Sequence, residues 1–143
     1  SVVEVLQNCM IFNNGVHNRY ADRAVRADRT IHLRHGEKMI FGADSNKGLV
    51  QDGFLLKAVT IGEDGYTLDD VLVHDAHCTS NFLHQQLAMM DGDSLPLAVG
   101  VIRDVDTPTY DESVSEQVRE VRAHKGFDSL RSMILAGETW TVE

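Results

Sequence analysis

Val2-Val3-Glu4-Val5-Leu6-Gln7-Asn8-Cys9-Met10-Ile11-Phe12-Asn13 is the stretch whose reading decides the fold. Its β-branched apolar start predicts a short buried strand, and Gln7-Asn8-Cys9 closes it with a polar turn. Cys9 then stands just past the carboxyl end of a strand, where open α/β sheets place ligands and cofactors. The strand opens the chain with no Met, cap or leader before it, so the expectation is the interior of a longer protein. The partners of Cys9 are then expected outside this sequence.

Composition narrows the classes that remain. A length of 143 residues allows one compact body that buries roughly 70% of its unfolded surface. Hydrophobic content of 43% and charged content of 24% are those of an ordinary globular chain. No apolar run approaches the roughly 20 residues that span a bilayer, and no signal-peptide pattern opens the chain. A formal net charge of −9 argues against a phosphate-binding surface and hence against nucleic acid. Two cysteines, Cys9 and Cys78, make no disulfide framework, which points to a reducing, cytoplasmic setting. Two thiols also cannot supply a four-cysteine metal site by themselves.

Along the chain, Asn13-Asn14-Gly15 is loop chemistry, and residues 17–29 alternate basic and acidic side chains as one amphipathic helix or a solvated excursion. Thr30-Ile31-His32-Leu33 and Met39-Ile40-Phe41 read as two strands of a hairpin turning at His35-Gly36-Glu37. Asp44 to Asp52 reads as a polar loop and Leu55 to Ile61 as a strand. Thr67 caps the acidic turn Leu68-Asp69-Asp70, which leads into Val71-Leu72-Val73-His74. Ser80 or Asn81 caps a helix through Met90, with Leu83, Leu87 and Met90 on one face. Leu97 to Val105 is an apolar run suited to a strand covered on both faces. Asp111 caps a helix to about Lys125, with Val114, Val118 and Val121 a turn apart. Gly126 ends it, a second helix runs from about Asp128 to Ala136, and Gly137 stops that one. Tyr110 and Trp140 read as packing anchors.

The densest chemistry is His74-Asp75-Ala76-His77-Cys78 with His84 beyond it. Imidazole and thiolate suit zinc, but the spacing matches no common finger or metalloprotease pattern. Surface histidines and a small buried Cys78 account for the residues equally well. No Gly-x-Ser-x-Gly elbow, Gly-x-Gly-x-x-Gly turn or Walker pattern occurs, and no residue is assigned a catalytic role.

The order of segments says more than any one of them. Gln7-Asn8-Cys9-Met10-Ile11-Phe12-Asn13 is followed by Leu33-Arg34-His35-Gly36-Glu37-Lys38-Met39-Ile40-Phe41-Gly42, then by Val71-Leu72-Val73-His74-Asp75 and Val99-Gly100-Val101-Ile102-Arg103. Thr107-Pro108-Thr109-Tyr110-Asp111 and Gly137-Glu138-Thr139-Trp140-Thr141-Val142 come last. This series resembles the carboxyl-terminal half of the β subunit of 2-oxoacid:ferredoxin oxidoreductases, most closely the 2-oxoglutarate type.

The resemblance implies an α/β fold: the carboxyl-terminal portion of a thiamine-diphosphate-binding fold, with a mixed sheet, a surface hairpin and two carboxyl-terminal helices. It implies a division into residues 1–106, the end of that domain, and 107–143, a helical extension. It implies oxidative decarboxylation of a 2-oxoacid with transfer to coenzyme A, or the reverse carboxylation, with electrons leaving for ferredoxin. Thiamine diphosphate, Mg2+ and a 4Fe–4S cluster are the implied cofactors, and an α subunit is the implied partner. Cys9 falls where cluster-bearing members have their fourth cluster ligand, with Asn8 and Asn13 beside it as pocket or turn residues. The other three ligands, and the Gly-Asp-Gly segment that holds magnesium and diphosphate, belong to the family's amino-terminal half. By itself this chain is then expected to be colourless and inactive. The alternative is a binding or assembly module whose cysteine is merely structural.

Overall fold

The computed structural model describes residues 1–125, 129–138, 140 and 142. The chain divides into two compact units, Ser1–Val105 and Asp106–Glu143.

In the first unit the chain turns through two short helical segments, α1 (Asn18–Ala21) and α2 (Arg26–Arg29), into strand β1 (Thr30–Leu33). Residues 17–29 are thus neither one helix nor a free excursion. Asp22 interrupts them with an extended backbone, and its carbonyl accepts the amides of Val25 and Arg26. Strands β2 (Ile40–Phe41), β3 (Lys47–Asp52) and β4 (Leu55–Thr60) form an antiparallel sheet in chain order. Helix α3 (Phe82–Ala88) follows, and strand β5 (Leu97–Gly100) runs parallel to β1 with Ile31 opposite Ala98. The architecture is α/β with both parallel and antiparallel pairing, the two kinds held in separate sheets.

The hydrophobic pattern explains where the core lies. Ile31 and Leu33 on β1, Met39 and Phe41 around β2, Leu49 on β3 and Leu56 on β4 meet Leu87 and Met90 from the α3 region. Each such side chain contributes roughly 1.5–3 kcal/mol on burial. α3 shows the expected face: Leu87 and Met90 are buried, with Leu83 packed beside them. Thr67 caps the 3-10 turn Leu68–Asp70 through a reciprocal box with Asp70, as its position predicts.

Several expectations fail for identifiable reasons. Residues 2–6 form no strand, and Val2, Val3 and Val5 are almost fully exposed. An extended apolar run becomes a strand only where a neighbour accepts its amides, and none of the described residues does so. β1 and β2 do not form a hairpin, because β1 takes β5 as its partner while β2 pairs with β3. The segment read as a polar loop, 44–52, contains β3. Gly48 there is a packing residue: a Cβ would lie 2.5 Å from Val71 Cγ2. β5 is shorter than the 97–105 run and only partly buried, since β1 is its sole strand neighbour among the described residues.

The second unit contains α4 (Tyr110–Lys125) and α5 (Leu130–Ile134). Thr109 rather than Asp111 starts α4, through reciprocal bonds in which Glu112 accepts the Thr109 amide at 2.8 Å. Ser129 caps α5. Gly126 as a stop and Asp128 as a start lie outside the described residues. Tyr110 and Trp140 are 86% and 84% exposed, so neither anchors packing here. Val114, Val118 and Val121 are exposed as well. No helix among the described residues is long and apolar enough to cross a membrane.

Candidate functional site

Cys9 stands at the mouth of a self-contained turn. Its carbonyl accepts the Asn13 amide at 3.0 Å, closing the loop Cys9-Met10-Ile11-Phe12-Asn13. The Asn8 side chain stabilises the base of the loop, accepting the Gly15 amide at 2.8 Å and donating to Asn14 Oδ1 at 3.0 Å. Asn8 is thus a turn former, and Asn13 serves the turn through its backbone. Asn14 and Gly15 are the partners that sequence reasoning left unassigned, although the Asn-Asn-Gly run is the signal that marks them.

The Cys9 thiol is exposed. Backbone amides hydrogen-bonding to its sulfur, Phe12 first and Ile11 next, hold its pKa below the ordinary thiol value. Slight desolvation pushes the other way, and the Asn13 amide adds a smaller lowering. N–H groups converging on one atom favour its anionic form. A thiolate in such a turn is a competent nucleophile or metal ligand.

The histidine-rich segment resolves differently. His74 and His84 are buried, not surface, residues. His74 Nε2 donates to the Val101 carbonyl at 2.8 Å, and His84 Nε2 to the Asp75 carbonyl at 2.8 Å. Arg103 donates to His84 Nδ1 at 2.9 Å and to the Cys78 carbonyl at 2.9 Å. These side chains fasten the 74–80 loop to the chain leaving β5. Cys78 is half-buried. His77 and His35 are the exposed pair, their rings 4.3 Å apart, with His77 Nδ1 donating to the Asp104 carbonyl. Among the described residues no group of three or more His, Cys, Asp or Glu could hold a metal ion. The zinc reading therefore has no coordination sphere here, and its imidazoles bond to backbone carbonyls instead.

An open cleft is lined by Asp28, Arg29, Phe41, Lys47, Thr60 and Ser94, and its charged side chains are all engaged in bonds among the described residues. Lys47 Nζ bonds Asp28 at 2.8 Å, and Arg29 donates to the carbonyls of Gly92 and Asp93. Of the sequence-selected site residues, Cys9 and Asn8 share one turn, and the Cys9 sulfur is its exposed reactive group. The structure does not bring it together with the histidine segment.

Over its whole length the chain is similar to the 2-oxoglutarate oxidoreductase subunit KorB of Mycobacterium tuberculosis (strain ATCC 25618 / H37Rv), at 32% identity over 146 aligned positions. The resemblance read from the order of segments thus holds across the chain. The alignment covers 38% of KorB, so the chain spans well under half the length of that relative. No family model matches the chain, and no solved structure matches it.

Proposed function

We propose that this chain is the carboxyl-terminal part of the β subunit of a 2-oxoacid:ferredoxin oxidoreductase, with 2-oxoglutarate the favoured substrate. The observation that carries the proposal is the similarity to KorB along the entire chain. The Cys9 turn supports it chemically. In this reading the complete enzyme decarboxylates the 2-oxoacid oxidatively with coenzyme A, or runs the carboxylation in reverse, and passes electrons to ferredoxin. Residues 1–106 would close the thiamine-diphosphate-binding domain, and 107–143 would extend it. The exposed valines of α4 and the apolar residues of α5 would pack on the rest of β or on the α subunit. A cytoplasmic setting follows from this reading.

The chain's own residues fit part of this assignment. Cys9 would hold one iron of a 4Fe–4S cluster as its fourth protein ligand, because its sulfur is exposed and its pKa is lowered by the amides of the turn. Amide hydrogen bonds to a ligating sulfur also bear on a cluster's reduction potential. The cluster supplies one-electron transfer. Asn8 fixes the turn that aims the thiolate, and Asn13 closes it. Beyond Cys9 the chain carries only Cys78, and in this reading the other three ligands would come from the amino-terminal half of the subunit. No described group fits Mg2+ with a diphosphate, so thiamine diphosphate has no step derived through these residues.

In the complete subunit purified without oxygen, Cys9→Ser should lower the iron content, or shift the visible spectrum of the cluster, and slow ferredoxin reduction. An unchanged iron content, spectrum and rate would remove Cys9 from the ligand set.

A further inference from the structure

We infer that the seam between residues 74–84 and the chain leaving β5 is a proton-sensitive clasp, closed while His84 is neutral and opened when His84 takes up a proton. Residues 101–104, just beyond β5, are stitched across it. The Val101 carbonyl accepts from His74 Nε2 at 2.8 Å, and the Asp104 amide donates to the Ala76 carbonyl at 2.8 Å. His77 Nδ1 donates to the Asp104 carbonyl. Arg103 reaches furthest, donating to the carbonyls of Cys78 and Thr79 at 2.9 and 3.3 Å and to His84 Nδ1 at 2.9 Å. Every one of these bonds is internal to the chain.

The bonding partners dictate the protonation state. A guanidinium only donates, so His84 Nδ1 accepts and carries no proton. Nε2 then holds the single ring proton and gives it to the Asp75 carbonyl at 2.8 Å. His84 is 4% exposed, and both of its ring nitrogens are committed. A proton added at Nδ1 would replace the Arg103 bond by two cations 2.9 Å apart, with little water to screen them. His74 acts in the same sense. Its Nε2 is bonded to Val101, and its buried Nδ1 has no partner among the described residues, so charging the ring would bury an unmatched N–H.

No carboxylate among the described residues pairs with His84 to offset an added charge. α3 carries no other titratable side chain. On the 74–80 loop, the Asp75 carboxylate accepts the His77 amide at 3.0 Å and lies 3.4 Å from His35, and Cys78 meets Arg103 through its carbonyl. Beyond β5, the Asp104 carboxylate lies 3.9 Å from His77 Nδ1. The exposed His35 and His77 therefore sit beside carboxylates, whereas His84 meets Arg103 and the His74 ring, 6.1 Å away. Of these four imidazoles, His74 and His84 are the two whose bonds require a neutral ring. Protonated His84 would expel Arg103 and with it the ties to Cys78 and Thr79, loosening residues 101–105, the strap that ends the first unit. None of this depends on the enzyme reading.

Amide hydrogen exchange of the full chain, read by mass spectrometry and corrected for the intrinsic pH dependence of exchange, tests the clasp. Between about pH 7.5 and about pH 5.5, protection of residues 74–84 and 101–105 should fall about tenfold or more, the factor that one proton taken up gives over one pH unit. Protection of β3 and β4 should hold. In His84→Gln a neutral amide can accept from Arg103 and donate to Asp75, so protection should stay while most of the pH response disappears. His77→Gln should leave the response as it is. Circular dichroism checks that the variants fold. If His84→Gln is unfolded, Arg103→Gln decides instead: protection at the seam should be low already at the higher pH, and the response should shrink. Protection at the seam that does not change with pH overturns the proposal. So does a response that is undiminished in His84→Gln or Arg103→Gln, abolished in His77→Gln, or shared equally by β3 and β4.

Discussion

Residues 30–104 and residues 1–16 put apolar side chains to opposite uses. In the first region Ile31, Met39, Leu49 and Leu87 are almost completely shielded from solvent, closed in by strands and helix from the same stretch. In the second, Val2, Val3, Met10, Ile11 and Phe12 lie open, and order comes from polar bonds of Asn8, Asn13 and Gly15. The first region makes its own core. The second keeps its shape locally and presents apolar surface outward, as a segment awaiting a covering partner does.

The largest effect should separate the two regions directly. Ile31→Ala removes a fully buried side chain from the core and should cost about 2–5 kcal/mol of stability. Phe12→Ala removes an exposed one and should change stability by less than about 0.5 kcal/mol. Urea unfolding of the chain measures both. Similar losses would mean that the amino-terminal segment is part of the core after all.

A smaller effect sharpens the description of the closed region. Gly100 ends β5 at φ +104, and a Cβ there would lie 2.6 Å from the Leu33 carbonyl oxygen. The obstruction is backbone of the paired strand, so no side-chain rotation relieves it. Gly100→Ala should therefore cost about 1–3 kcal/mol, seen as a lowered melting temperature. An unchanged melting temperature would show that the β1–β5 pairing is loose at its carboxyl end.

What was legible in the sequence follows the same division. Local signals worked: the Thr67 box, the α3 face, the strand pattern of β1 and β4, and the turn at Asn13-Asn14-Gly15 all stand in the structure. Pairing did not work, because the β1–β5 contact joins residues far apart in sequence and leaves no local trace. β3 was hidden by Lys47 and Gly48, which read as a loop although Gly48 is small to admit Val71. The buried histidines misled because residue type alone does not reveal that backbone carbonyls await His74 and His84. Cys9 was identified through its turn, but the amides that converge on its sulfur are a three-dimensional property of residues 11–13.

Those amides provide the most delicate comparison, between a cysteine in the open turn and one in the closed region. Iodoacetamide should label exposed Cys9 before half-buried Cys78, as peptide mass spectrometry can follow. The pH midpoint of Cys9 labelling should lie below that of an ordinary thiol, because the Phe12 and Ile11 amides favour the thiolate. Since the folded value is depressed, the associated stabilisation is present above the pKa of the unfolded thiol and lost as pH falls through the folded one. In urea the midpoint should accordingly rise to the ordinary value. Asn8→Ala, which frees Gly15 and Asn14, should move the native midpoint part of the way there. A midpoint that is the same in native protein, in urea and in the variant would mean that the turn does not hold its amides on the sulfur. Cys9 would then lose the feature that distinguishes it from any exposed thiol.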